Sequence, residues 1–160
     1  MKQAEKSANR QPLDLRGLPG HVTRRVHQLA VALFVEEMGE LNVTPVQYSS
    51  LQTICNQPGI DQKTVAASIG LDTSTVAGVI DRLEARGLVL RKVAPHDRRA
   101  RQVYPTDEGR RLLEEAFPRM LRSQTRLLEP LQASERAEFM RLMKTLIDAN
   151  AELSNRPTRD

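Results

Sequence analysis

Arginine and lysine side chains crowd one short stretch of this 160-residue chain. Seven basic and two acidic residues in positions 82–101 give a local charge of +5, whereas the whole chain carries +4. The rest of the chain therefore sums to −1, and one segment holds all the excess positive charge. Cationic groups gathered in one surface element are the chemistry that binds nucleic-acid phosphates. The basic residues are Arg82, Arg86, Arg91, Lys92, Arg98, Arg99 and Arg101.

A second group of residues, just before this stretch, offers hydrogen bonds and small size instead of charge. Apolar residues at positions 76, 79, 80 and 83 follow the i, i+3, i+4, i+7 spacing of a helix with one buried face. Small side chains on the other face let a helix approach base edges closely, and a hydroxyl, guanidinium or methyl group can contact a base or phosphate. An ordinary solvated face is the alternative. The predicted DNA contacts here are Thr73, Ser74, Thr75, Ala77, Gly78 and Arg82.

The Arg-rich end of the stretch is predicted to be a β-hairpin. Residues 88–93 and 100–104 are rich in β-branched side chains and flank a turn that contains proline. Such a pattern is typical of two paired strands. At the tip of a hairpin, guanidinium groups can reach a DNA minor groove or its flanking phosphates, and a solvated basic turn is the alternative. The predicted contacts of this hairpin are Arg98, Arg99 and Arg101.

Helix start and stop signals predict the elements that position these two groups. Residues 20–41 form a first helix, and Thr44 starts a second one through a capping box with Gln47. Asp61 begins a third helix that ends at Gly70, and the helix over residues 73–86 follows. After the hairpin, a long helix begins at Thr106 and a last one near residue 134. The predicted fold class is therefore mainly α, a winged helix-turn-helix with a two-stranded β wing.

The terminal helices carry more apolar surface than one protomer needs. Residues 29–35 (LAVALFV) are apolar almost all round, although a surface helix needs only one apolar stripe. We therefore predict a homodimer formed by residues 19–41 and 107–151, with residues 44–105 as the DNA-binding lobe of a single domain, 19–151. Residues 1–18 are predicted to be a flexible arm, and residues 152–160 a flexible tail.

Composition excludes several classes of protein. One cysteine, Cys55, rules out an intrachain disulfide framework and is predicted to be a buried, inert thiol in a reducing compartment. No apolar run is long enough to span a membrane, and none follows the first residues as in a secretory signal, so we expect a cytoplasmic protein. The sequence has no recognisable nucleophile–base pair, glycine-rich phosphate loop or metal-ligand spacing. We therefore expect no enzyme activity, metal or cofactor.

Three short motifs resemble those of the multiple-antibiotic-resistance regulator (MarR) family. They are IDRLEARGLV (residues 80–89), HDRRAR (96–101) and PTDEG (105–109). The resemblance implies a dimeric winged-helix regulator, usually a repressor, whose affinity for double-stranded DNA is changed by a small ligand, often an aromatic acid. It also implies a salt bridge between Asp81 and Arg98 that fixes the wing. Pro105 departs from the family's usual Leu, and Ala77-Gly78 replace a pair that often contacts bases.

Residues 19–37 (PGHVTRRVHQLAVALFVEE) resemble the branch of this family that governs breakdown of aromatic or N-heteroaromatic acids, such as nicotinate derivatives. In the family the ligand lies between the dimerisation helices and the DNA-binding lobe. Cationic and hydrogen-bonding groups beside apolar walls suit an aromatic carboxylate. A role on the surface or in the dimer interface is the alternative for each of them. The predicted ligand contacts are His21, Arg24, Arg25, His27 and Tyr48.

These observations predict a ligand-responsive DNA-binding transcriptional regulator, a repressor released from a palindromic operator by a small aromatic acid. The alternative is a winged-helix module for protein–protein interaction without sequence-specific DNA binding. Three guanidinium groups on the wing argue against that alternative, because a protein contact does not need them.

Overall fold

A computed structural model of the chain describes residues 14–94 and 97–154. The predicted arm and tail therefore lie mostly outside the described residues, as do Pro95 and His96 of the predicted turn. The helices are α1 (Pro19–Met38), α2 (Pro45–Asn56), α3 (Gln62–Ile69), α4 (Thr73–Ala85), α5 (Asp107–Leu128), α6 (Ala133–Ala149) and α7 (Ala151–Ser154). The strands are β1 (Ile60–Asp61), β2 (Val89–Ala94) and β3 (Asp97–Pro105), and single 3-10 turns precede and follow α1 at Leu15–Gly17 and Gly39–Leu41.

Side-chain caps begin all three helices between α1 and the hairpin, and the sequence predicts those of Thr44 and Asp61. The Thr44 hydroxyl accepts from the Gln47 amide at 3.2 Å, and the Gln47 side chain accepts from the Thr44 amide at 3.0 Å. Asp61 caps α3 and Asp72 caps α4 in the same way, at 2.9 and 2.8 Å. These bonds satisfy amide groups that the first turn of a helix leaves without partners.

One apolar core joins α2, α3 and α4 to the sheet. The apolar positions predicted for α4 are all buried, and the side chains of Val76, Ile80 and Leu83 have no exposed surface. They belong to one cluster that also contains Leu51 and Ile54 of α2 and reaches β3. Burial of this face fixes the rotation of α4, so its opposite face must point to solvent.

The sheet has three antiparallel strands in the order β1-β3-β2, where the sequence predicted two. Strand β1 consists of two residues, too few for a periodic pattern, and it pairs Ile60 with Val103. The hairpin also differs from the prediction, because β3 begins at Asp97 and its backbone includes Arg98 and Arg99, which the sequence placed in the turn. A register shift between Val93 and Ala94 accommodates the extra residues of β3, as a β-bulge does.

The IDRLEARGLV and PTDEG motifs each contain a glycine that the local backbone requires, Gly87 and Gly109. Gly87 has φ +70° and ends α4, where the Leu88 amide donates to the Leu83 carbonyl at 2.9 Å. Gly109, in the first turn of α5, lies directly against the backbone of Leu88. A Cβ atom at Gly109 would stand 2.1 Å from the Leu88 carbonyl oxygen. The start of α5 can therefore approach the hairpin this closely only because residue 109 has no side chain.

The terminal helices pack on each other and leave much apolar surface open. Helix α5 runs along α1 and contains Pro118 without ending there. Leu146 of α6 remains 67% exposed and Ile147 54%. Residues 14–18, predicted as part of a flexible arm, form a 3-10 turn capped by the Asp14 side chain. Among the helices of the described ranges, none has the length and hydropathy to cross a membrane.

Candidate DNA-binding face and effector groove

Helix α4 presents the residues predicted for DNA contact on its solvent face. Thr73, Ser74, Thr75 and Arg82 are exposed, while Ala77 and Gly78 are half-buried between them. No described side chain forms an ion pair with Arg82, so its guanidinium is open to a phosphate or a guanine. The face is flat at its centre because residues 77 and 78 project one methyl group between them.

Asp72 organises the hydroxyl groups at the start of this face. The Ser74 hydroxyl donates to one oxygen of the Asp72 carboxylate, and the Thr75 hydroxyl donates to the other at 2.5 Å. Bonds from Ser74, then Thr75, hold the pKa of the Asp72 carboxyl well below its ordinary value. Both hydroxyl hydrogens are therefore engaged, which leaves the oxygen lone pairs as acceptors. Such acceptors match the amino groups that cytosine and adenine present in the major groove.

Arg91 of β2 ties the wing to this helix. Its guanidinium contacts Asp81 at 2.6 Å and Glu84 at 2.6 Å, and its amide donates to Glu84 at 3.0 Å. The described partner of Asp81 is thus Arg91, whereas the family resemblance implied Arg98. The structure does not describe the side chains of Arg98 and Arg99, so their predicted DNA contacts remain predictions. The bonds of Arg91 place the hairpin beside the open face of α4.

The basic stretch divides into tied and open groups. Arg91 is paired with two carboxylates, and Arg86 donates to the backbone carbonyls of Leu41 and Asn42 at 3.0 and 2.8 Å. These two side chains therefore serve the fold. Arg101 and Lys92 are exposed on the hairpin, where the Lys92 ammonium lies 5.0 Å from the centre of the Tyr104 ring. The sequence alone does not distinguish these groups, because it does not show which basic side chains are paired in the fold.

A groove of about 400 Å³ lies along the first half of α1. His21 and Arg25 line it together, as their i, i+4 spacing on one helical face allows. Its walls are mostly apolar, and Arg16 of the preceding 3-10 turn also lines it. Arg16 was missed because its segment lacks periodicity, although Asp14 two positions earlier is a capping signal. The full lining is Arg16, His21, Val22, Arg25, Val26 and Leu29.

The other residues predicted for the ligand lie elsewhere. Arg24 and His27 are exposed and do not line the groove, although one Arg24 nitrogen lies 3.5 Å from the His21 ring. Tyr48 is buried, packs edge-to-face on Phe34 with ring centres 5.8 Å apart, and donates to Gln52 at 3.4 Å. Burial raises the pKa of its phenol. The structure therefore brings together two of the five predicted residues.

Two further predictions concern metal and thiol chemistry. Within the described ranges, no group of three or more His, Cys, Asp or Glu side chains could hold a metal ion. Cys55 is half-buried, less than predicted, and its burial raises the pKa of the thiol. A raised pKa disfavours the reactive thiolate.

Comparison with known proteins gives consistent matches along most of the chain. The sequence profile of the MarR family matches residues 43–100. The transcriptional regulator HosA of Escherichia coli O111:H- is 32% identical, over 84% of this chain and 98% of its own length. The crystal structure of the PcaV transcriptional regulator from Streptomyces coelicolor with its natural ligand is 37% identical, with a TM-score of 0.80 over 88% of this chain and 99% of that one.

A second solved structure adds a named small molecule. It belongs to BpsR of Bordetella bronchiseptica, whose DNA binding is regulated by 6-hydroxynicotinic acid. BpsR is 31% identical to this chain, with a TM-score of 0.81 over 88% of this chain and all of that one.

Proposed function

The chain belongs to the MarR family of transcriptional regulators, and we propose that it is a homodimeric repressor released from a palindromic operator by a small aromatic acid. DNA binding is the function of the lobe formed by α2 to β3. The effector acts at the groove on α1. Since the operator DNA of such regulators lies in the cytoplasm, we place the protein there as well.

One observation carries the DNA-binding assignment: α4 is buried on one side and small, polar and cationic on the other. We propose that its exposed residues contact base edges in a major groove, as the residues of a recognition helix do. Arg91 holds the wing beside that face, so that Arg98, Arg99 and Arg101 can follow the backbone or the adjacent minor groove. The alternative, a protein-binding module, is not favoured, because the relatives that span almost the whole chain are transcriptional regulators.

The chemistry of the groove supports an aromatic carboxylate as effector. Arg16 and Arg25 can neutralise a carboxylate, and His21 can hydrogen-bond a ring nitrogen or hydroxyl. Val22, Val26 and Leu29 provide apolar walls for an aromatic ring. The volume of about 400 Å³ falls within the usual range for small-molecule sites. Because BpsR responds to 6-hydroxynicotinic acid, a nicotinate-type acid is our first candidate.

The exposed apolar faces of the terminal helices support the homodimer. Val35 on α1, Phe117 on α5 and Leu146 on α6 would each be covered by a second copy of the chain. A twofold axis between the copies presents α4 twice, as a palindromic operator requires.

Salt dependence of binding to double-stranded DNA tests the DNA-binding function. A dimer that contacts about 6–10 phosphates should lose about 10³–10⁵ in affinity between 50 and 200 mM salt. Arg101→Ala should weaken binding to all duplexes and lower the salt slope, whereas Ser74→Ala should change sequence preference. Affinity that does not respond to salt would contradict the proposal.

Thermal-shift measurements with 6-hydroxynicotinic acid and related acids test the effector site. A ligand at 100 times its Kd should stabilise the folded dimer by about 2.7 kcal/mol. Arg25→Ala should abolish the shift. Arg111→Ala is the matched control, since it removes the same charge from an exposed position on α5 that does not line the groove, and it should leave the shift intact. Equal losses in both variants would mean that only the overall charge matters.

A further inference from the structure

The turn after α1 is held from two sides by arginines that lie far away in sequence. One Arg119 nitrogen, from α5, donates to the Met38 carbonyl at 3.1 Å. The Arg86 guanidinium donates to two carbonyls further along the turn, those of Leu41 at 3.0 Å and Asn42 at 2.8 Å. A helix end leaves such carbonyls without partners within the helix. Here the partners come from the dimerisation helix on one side and from α4 on the other.

Arg86 occupies a special place, because it is the C-terminal cap of α4. Its two bonds use two nitrogens of one planar group on consecutive carbonyls, a geometry that a lysine ammonium cannot reproduce. Within the described part of the chain, Arg86 forms no ion pair. Its side chain therefore connects the end of the recognition helix to the end of α1.

Helix α1 connects this turn with the groove. Its 20 residues span about 30 Å, with the groove along the first half and the turn after the last residue. Near the turn, Glu37 bonds Arg122 at 2.9 Å and Arg126 at 2.8 Å, both on α5. The second half of α1 is thus fixed to the dimerisation helix, so a displacement of α1 must be passed to whatever holds its end.

We infer that Arg86 is a positioning residue that couples α1 and α5 to the recognition helix. Through its two carbonyl bonds, the orientation of α4 follows the position of the turn at residues 38–42. When an acid in the groove shifts α1, Arg86 carries that shift to α4. This coupling to an effector rests on the proposed function, but the coupling between α5 and α4 does not.

A double-mutant cycle without effector tests the connection itself. The affinity for a duplex recovered from random-sequence DNA is measured for wild type, Arg86→Lys, Arg119→Lys and the double variant. Both lysine variants keep their charge, and each single change should weaken binding about 2- to 30-fold. The double variant should be no weaker than the weaker single one, since either change already breaks the link. Independent, multiplying effects, or no effect of Arg119→Lys, would overturn the inference.

Arg111→Lys is the matched control, because Arg111 is exposed on α5 and pairs only with Glu108 among the described residues. It should leave DNA affinity unchanged. Melting temperatures identify any variant that is unfolded, and Arg119→Gln then replaces a lysine variant that fails to fold. The salt slope of Arg86→Ala should equal that of wild type. A slope lower by about two, one for each copy of Arg86 in the dimer, would mean that Arg86 contacts phosphates directly, and would overturn the inference.

The effector arm uses 6-hydroxynicotinic acid as the probe. The ratio of DNA affinities without and with the acid should move toward one in Arg86→Lys, by the same factor of about 2–30. An unchanged ratio would show that the signal bypasses Arg86. If wild type does not respond to the acid, the effector part of the proposed function fails, and the double-mutant cycle still decides the role of Arg86.

Discussion

In the lobe of α2 to β3, the apolar side chains of α4 are covered within one protomer, whereas α6 leaves Leu146 67% exposed and Ile147 54%. The apolar face of α4 is covered by other elements of the same lobe, whereas that of α6 is not. The lobe has its own core and can hold the shape of α4 by itself. The terminal helices have apolar faces that stay exposed in the described part of the chain, and we propose that a second copy covers them and fixes their arrangement. Shape and spacing of the DNA-binding faces are therefore set in different regions.

Removal of the second copy should have the largest effect on DNA binding. Ile147→Glu places a charge on the open face of α6 and should convert the dimer to a monomer of 18.0 kDa. Loss of two-site binding should lower DNA affinity by about 10²–10⁴. Light scattering and fluorescence anisotropy measure the two effects. Thr145→Glu, which adds the same charge beside that face, should leave both unchanged, and a dimeric Ile147→Glu would contradict our assignment.

The contact between the lobe and α5 depends on Gly109. Gly109→Ala places a Cβ against the Leu88 carbonyl oxygen and should reduce the free energy of unfolding by about 3 kcal/mol. Gly20→Ala is the control on α1, where nothing lies within 4 Å of the new atom, and it should stabilise by about 0.5–1 kcal/mol. Urea denaturation gives both values. Equal changes in the free energy of unfolding of the two variants would contradict the steric role that we assign to Gly109.

A smaller effect is expected from the caps of the lobe. Asp61→Ala should cost about 1 kcal/mol, while Asp61→Asn should cost little because asparagine also caps helices well. Bonds from the Thr64 side chain and amide lower the pKa of Asp61 in the folded protein. Its stabilisation is therefore complete above the unfolded-state pKa and is lost as the pH falls through the lower folded value. Urea titrations at several acidic pH values should show less acid sensitivity in Asp61→Ala than in wild type.

Gly78→Ala should have the smallest effect on stability, and it should change stability and DNA binding in opposite directions. Gly78→Ala adds a methyl group in open space inside α4 and should stabilise the fold by about 0.5–1 kcal/mol. The same methyl group lies on the face that we assign to the DNA groove, so operator affinity should fall. Thermal melting measures the expected rise in stability, and fluorescence anisotropy measures the expected fall in DNA affinity. A variant that is more stable and binds DNA as wild type does would place Gly78 outside the interface.

Local signals explain why the lobe was predictable from the sequence. Thr44, Asp61 and Asp72 each mark a helix start by a bond to the amide three residues on. Gly70 and Gly87 mark helix ends with positive φ, and the apolar period of α4 gave its buried face. Each of these features depends on residues within a few positions of one another. Such local features can therefore be predicted from the sequence alone.

Contacts between distant residues explain the misses. The bonds of Arg86 and Arg119 to the turn after α1 cross more than 40 residues, and no local pattern marks them. The sequence also did not show that Arg91 is neutralised by Asp81 and Glu84, or that Tyr48 is covered by Phe34. For the groove, the sequence offered four residues of α1 alike, and of these His21 and Arg25 line it whereas Arg24 and His27 do not.

In the proposed function, two copies of the open face of α4 contact one double helix. Selection of duplexes from random-sequence DNA by the purified protein, followed by sequencing, tests this most directly. We predict a palindrome whose half-site centres lie about one helical turn apart, 10–10.5 base pairs, and whose preferred bases change in Ser74→Ala. Enrichment of a single asymmetric site, or of no sequence at all, would contradict it.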